Sequence, residues 1–151
     1  EAAISRSEFT ALLARLAKAD LSAYDQAPFD DVQLDAWYAK EAAWANAMGI
    51  VTGYAGQFQP SAHISRQEMA VMLQRYAEQI AKMPLPEGAT LTFSDTDQIA
   101  PWAQDAMAAM VQAGIINGKE NNRLAPQENA TRAEAAKMLA LFLTFLEKEE
   151  A

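Results

Sequence analysis

Three short stretches carry residues suited to holding an anion: ISRSEF at 4–9, ISRQEM at 64–69 and ATRAEA at 130–135. In each, a hydroxyl residue is followed by Arg, and Glu stands three places after the hydroxyl. The pairs Ser5 and Glu8, Ser65 and Glu68, and Thr131 and Glu134 fit a helix N-cap whose third residue returns a hydrogen bond to the cap. Capping does not explain Arg6, Arg66 and Arg132. A side chain just inside a helix N-terminus sits beside unpaired N–H groups and the positive end of the dipole. An anion there is already favoured, and a guanidinium adds a planar fork for a carboxylate that Lys cannot offer. Arg opposes the dipole, so its recurrence has one of two reasons. Either it meets a bound carboxylate, or it pairs with Glu or Asp of the chain and ties segments together.

Other chemistry finds little support. His63 is the single histidine and there is no cysteine, which excludes disulfides, thiol catalysis and His-based metal clusters. No G-x-S-x-G elbow occurs, and none of the 20 acidic residues recurs in a position suited to a glycosidase cleft. Asp30, Asp31 and Asp95 lack the spacing of a calcium loop and suit capping or loop hydrogen bonding better. No cofactor and no metal are expected, and the segment is not read as an enzyme. Trp37 and Trp102 suit either of two roles, stacking on a sugar ring or, more commonly for Trp on a short amphipathic helix, core packing. Trp44 and the seven methionines read as packing.

The net charge of −8 speaks against a nucleic-acid partner, and it makes any anion site local. No apolar run reaches the length of a membrane span and nothing in these residues resembles a signal peptide, so no membrane insertion is expected. The abrupt start at Glu1 suggests a piece of something longer.

The elements that must position the arginines come as a repeat. Phe29-Asp30-Asp31 aligns with Phe93-Ser94-Asp95, Trp37 with Trp102, Gly49-Ile50 with Gly114-Ile115, Gly53 with Gly118, Pro60 with Pro126 and Arg66 with Arg132. Residues 1–20 match the back half of such a unit, 28–80 and 93–148 are full units, and 81–92, containing MPLPEG, reads as an exposed linker. The hydroxyl-Arg motifs predict amphipathic helices near 5–18, 65–81 and 131–148, with shorter helices over Trp37–Met48 and Pro101–Ala113. Gly49 and Gly114 are expected as left-handed C-caps, and Gly53 and Gly118 as turn residues. Three apolar stripes most simply bury one another as a three-helix bundle.

The order FDD–WYAKEA–GIVTG–FQP–ISRQE, repeated as FSD–WAQDA–GIING–LAP–ATRAE, resembles the S-layer homology domain over about 29–77 and 93–143. The resemblance implies an all-α, pseudo-threefold array with a central three-helix bundle and peripheral helix-loop lobes. It implies non-covalent anchoring of a larger surface protein to the bacterial cell envelope, hence an extracellular location at the cell wall or S-layer. The implied partner is secondary cell-wall polysaccharide, often carrying pyruvate ketals. It implies that Arg6, Arg66 and Arg132 are ligand or groove residues, and Trp37, Trp102, Gly53 and Gly118 join them as candidate ligand-binding residues, the first two by stacking and the glycines by letting backbone approach a glycan. The alternative is a structural or protein-interaction module with degenerate glycan grooves. The discriminating feature is whether each Arg lies exposed near an aromatic ring or buried in an intramolecular pair. Ala130 replaces the family's usual Ile, and Arg123-Leu124 stands where an aromatic is common.

Overall fold

Each hydroxyl-Arg motif starts a helix in the computed structural model, which describes residues 2–88 and 90–150. The helices are α1 (Arg6–Leu16), α2 (Ala39–Ala47), α3 (Arg66–Tyr76), α4 (Gln104–Gln112) and α5 (Arg132–Glu150). A π-helical turn, Ala77–Ala81, prolongs α3, and a 3-10 turn, Pro101–Ala103, leads into α4. Among the described residues β-pairing is confined to isolated bridges, and the regular elements are all helical.

The helix starts follow the capping logic atom by atom. Ser5 Oγ accepts from the Glu8 N–H at 3.1 Å, and Glu8 Oε1 accepts from the Ser5 N–H at 3.0 Å. The Ser65–Glu68 and Thr131–Glu134 pairs repeat both bonds. The ends of α2 and α4 close identically. Gly49 and Gly114 adopt φ of 76° and 77°, and the next N–H, of Ile50 or Ile115, returns to Ala45 O or Met110 O. This left-handed closure needs Gly, and it turns each following Ile into the core. By contrast, α2 begins at Ala39, so Trp37 precedes the helix rather than opening it.

The loop after each short helix is held by the Phe-x-Asp segment. Asp31 accepts the N–H groups of Phe58 and Gln59, each at 2.8 Å, and Asp95 accepts those of Leu124 and Ala125 at the same distances. Each carboxylate thus satisfies two loop donors through charge-assisted bonds. Gln59 and Ala125, at φ of 60° and 53°, turn the chain there, as Asn121 and Asn122 do earlier in the second loop.

Two compact units result, Ile4–Ile64 and Glu1–Ala3 with Ser65–Ala151. In the first, α1 packs on α2 around Phe9, Leu13, Ile50 and Phe58, with the Phe29 and Phe58 rings stacked at 5.3 Å. In the second, α3 packs on α4 and is buried nearly all round, and Tyr76 meets the Phe142 ring of α5 edge-on at 5.8 Å. The unit boundary falls at the cap serine, Ser65, so each unit joins the helix of one sequence repeat to the front half of the next. Of the Pro-rich segment, Pro84, Pro86 and Glu87 are exposed, whereas Leu85 and Gly88 are half-buried beside Gln74 and Ala108.

Replacing Asp95 by Ala strands two buried loop donors, so Asp95→Ala is expected to cost about 3 kcal/mol in urea unfolding. Asp31→Ala, at a less buried position, should cost less.

Candidate functional site

Arg66 is 3% exposed, and its guanidinium is engaged on three sides. Nε donates to Leu124 O at 2.9 Å, Nη1 to Glu134 Oε2 at 2.8 Å and Nη2 to Asn117 O at 3.1 Å. Three of its five donors are thereby committed to the chain, two of them to carbonyls that end the Gly-Ile loop and the Phe-x-Asp clip. Glu134 serves twice: Oε1 caps α5 at Thr131, while Oε2 also takes Lys119 Nζ at 3.1 Å. Lys119 continues to Glu128 at 3.1 Å, and Glu128 to Arg123 at 2.8 Å.

This charge chain walls a pocket of about 160 Å³, lined by Arg66, Asn117, Gly118, Lys119, Glu134 and Lys137 among others. Three cations face one carboxylate there, in a chain whose net charge is −8. Lys137 makes no ion pair among the described residues. Gly118 keeps the rim low: a Cβ there would meet the Phe93 ring at 2.6 Å, and at Gly53 a Cβ would meet Phe29 at 2.5 Å. Glycine is needed at these positions because the Phe of Phe-x-Asp presses on the loop. Gly53 also takes the left-handed conformation that suits the turn role expected from sequence, at φ of 77°, whereas Gly118 does not, so there the close approach alone calls for glycine.

The other sequence-derived residues fall differently. Arg6, 6% exposed, donates Nε to Phe58 O at 2.8 Å, and its Cζ lies 5.5 Å from the Tyr54 ring centre and 5.7 Å from that of Phe58. Arg132 is exposed, and its backbone N–H donates to Ala2 O at 3.0 Å. Trp37 and Trp102 are 59% and 56% exposed, outside the core to which Trp on a short helix is more often assigned. Trp44 is buried. No group of three or more His, Cys, Asp or Glu among the described residues is placed to hold a metal ion.

Lys119 and Lys137 are the residues that sequence reasoning passed over. Lys119 directly follows the loop glycine, and Lys137 lies one turn beyond Glu134 on the same helical face. Their counterparts in the preceding repeat are Tyr54 and Val71, so repetition does not mark them.

Burial alone would raise the Glu134 carboxyl, but the Thr131 N–H, Lys119 and Arg66 outweigh it and hold the group below the ordinary glutamate value. Arg123 and Lys119 lower Glu128 in the same way.

Comparison with known proteins bears on the repeat. The family model described as the S-layer homology domain matches residues 28–70 and 92–136. The chain is 37% identical over 145 residues to an amylopullulanase of Thermoanaerobacterium thermosulfurigenes, covering 96% of this chain and 8% of that protein. It is 34% identical over 145 residues to exoglucanase XynX of Acetivibrio thermocellus, covering 96% of this chain and 13% of the relative. A surface-layer 125 kDa protein of Lysinibacillus sphaericus is 34% identical over 132 residues, or 86% of this chain and 11% of that one. The chain therefore spans a small fraction of the length of these relatives.

Two outcomes follow from the charge chain. Arg66→Ala leaves two carbonyls without their donor and Glu134 with Lys119 but not Arg66, and about 3 kcal/mol of stability should be lost in denaturant unfolding. Arg66→Lys should recover only part, for want of the fork. A depressed folded pKa gives Glu134 a contribution that is complete above its unfolded value and lost as pH falls through the folded one. Stability should therefore drop on acidification below the ordinary glutamate range, and the drop should be shallower in Glu134→Gln.

Proposed function

Because the chain belongs to the S-layer homology family, we propose that it fastens a larger bacterial surface protein to the cell envelope by gripping an anionic wall polysaccharide. The observation that carries this reading is the pocket beside Gly118, where Arg66, Lys119 and Lys137 outnumber Glu134 in an otherwise acidic chain. A carboxylate on a sugar, such as a pyruvate ketal, has the size and charge for that cleft. Lys119 and Lys137 supply point charges, and the spare guanidinium donors of Arg66 supply direction. Attraction is local, since the net charge of the chain repels a polyanion at longer range.

The comparisons support the anchoring part of the reading. Nearly the whole of this chain is matched within proteins named as an amylopullulanase, an exoglucanase and a surface-layer protein. A segment shared by such different proteins suits attachment. The rival structural role draws on the burial of Arg6 and Arg66 in intramolecular bonds. That burial is compatible with binding when the lysines, rather than the buried forks, provide most of the ligand contact. Exposed Trp102 and Trp37 remain available to stack on sugar rings.

Calorimetric titration with purified pyruvylated wall polysaccharide at moderate salt tests the proposal. Lys119→Ala and Lys137→Ala should each weaken binding roughly tenfold, the size of one charge-assisted hydrogen bond. Chemical removal of the ketal should weaken it at least as much. Equal affinity for the polymer without its ketal would remove the carboxylate mechanism, and no binding by the unmodified chain would favour the structural role.

A further inference from the structure

Of the five asparagines in the chain, only Asn117 is followed by glycine. The pair lies in the loop after α4, exposed, on the wall of the pocket that Arg66, Lys119 and Lys137 also line. The Asn46 and Asn122 side-chain amides are tied to carbonyls, of Val51 at 3.0 Å and of Thr92 at 3.1 Å. Among the described residues the Asn117 side-chain amide has no such tie, and the Gly118 N–H donates to no acceptor. Their neighbours are held, the Ile116 N–H on Met110 O and the Lys119 N–H on Arg123 O. An unrestrained amide carbon thus stands beside an unpaired peptide nitrogen, and the glycine has no Cβ to hinder their approach.

From this arrangement we propose that Asn117 is a self-modification site, converting to aspartate or isoaspartate and so placing a carboxylate of the chain's own in the pocket. The Gly118 nitrogen attacks Cγ of Asn117 and a C–N bond forms. The side-chain nitrogen leaves as ammonia, taking with it the proton of the Gly118 N–H. Water then opens the resulting five-membered imide. Attack at Cγ gives aspartate; attack at the backbone carbonyl carbon gives isoaspartate, in which the chain runs through Cγ. One water enters and one ammonia leaves, with no change of oxidation state.

The pocket bears on both steps. Ring closure puts negative charge on the Asn117 side-chain oxygen, and the cations lining the same pocket favour that charge. Arg66 Nη2 already donates to Asn117 O at 3.1 Å, which polarises that carbonyl toward water. Isoaspartate is therefore the main product, and its new carboxylate contains the oxygen that Arg66 already holds. Three cations that faced Glu134 alone then face a second carboxylate. The preceding repeat lacks the device, because Thr52 stands before Gly53. The loss of anion binding that follows rests on the reading of the pocket proposed above, whereas the modification itself does not.

The test stores the folded chain at mildly alkaline pH and follows it by peptide mapping in the mass spectrometer and by enzymatic methylation of isoaspartate. Asn117 should convert about tenfold faster or more than Asn46, Asn121, Asn122 and Asn129, releasing ammonia in equal amount. Asn117→Thr, which copies the preceding repeat, should keep its mass. In titrations with purified pyruvylated wall polysaccharide, the stored chain and fresh Asn117→Asp should each bind roughly tenfold more weakly than the fresh chain. Stored Asn117→Thr should bind as it did when fresh. Conversion of Asn117 no faster than that of the other asparagines overturns the proposal. Conversion with unchanged binding overturns the closing of the pocket. A fresh chain that binds no polysaccharide removes the anchoring reading, while the peptide map still decides the modification.

Discussion

The bond from an arginine Nε to a loop carbonyl, Arg6 to Phe58 O and Arg66 to Leu124 O, is the contact on which the arrangement of both units depends. It joins a helix start in one repeat to the loop of the next, more than 50 residues away in sequence. The guanidinium is suited to it because donors leave its plane in fixed directions, so a single buried side chain meets backbone carbonyls and a carboxylate at once. The carbonyls in turn are where they are because Asp31 and Asp95 hold the adjacent N–H groups. Removing a carboxylate or a guanidinium therefore disturbs the same joint from opposite sides.

That joint also shapes the electrostatics of the pocket. Glu134 is drawn toward Arg66 by its capping position, which fixes one oxygen on the Thr131 N–H and leaves the other for cations. Lys119 is then brought close to Glu134 by the loop, whose glycine lets it lie against Phe93. Lys137 comes from the next turn of α5 and remains outside the pairing. An acidic chain thus acquires a small region of positive excess, through local geometry and not through composition.

Much of the local structure was legible in the sequence because it rests on contacts within a few residues. The capping boxes, the left-handed glycines after α2 and α4, and the helical register of Phe9, Met69 and Phe142 each follow from spacing alone. Asp31 and Asp95 were legible as loop hydrogen bonders, though not their partners 27 to 30 residues on. The exposure of Trp37 and Trp102 was not legible, since whether a Trp at the start of a short helix is covered depends on what packs against it and not on spacing.

By itself the sequence determined the repeat, the helical class, the caps that start α1, α3 and α5 and the glycines that stop α2 and α4, because those depend on periodicity and on backbone groups close along the chain. Only the tertiary structure decided that a unit joins the helix of one repeat to the front half of the next, that Arg66 is buried on Leu124 O and Glu134, and that Lys119 and Lys137 share a pocket. For Arg66 the physical reason is plain. Buried donors must find acceptors wherever packing brings them, and the acceptors for Arg66 lie 51 to 68 residues away, beyond the reach of any local pattern.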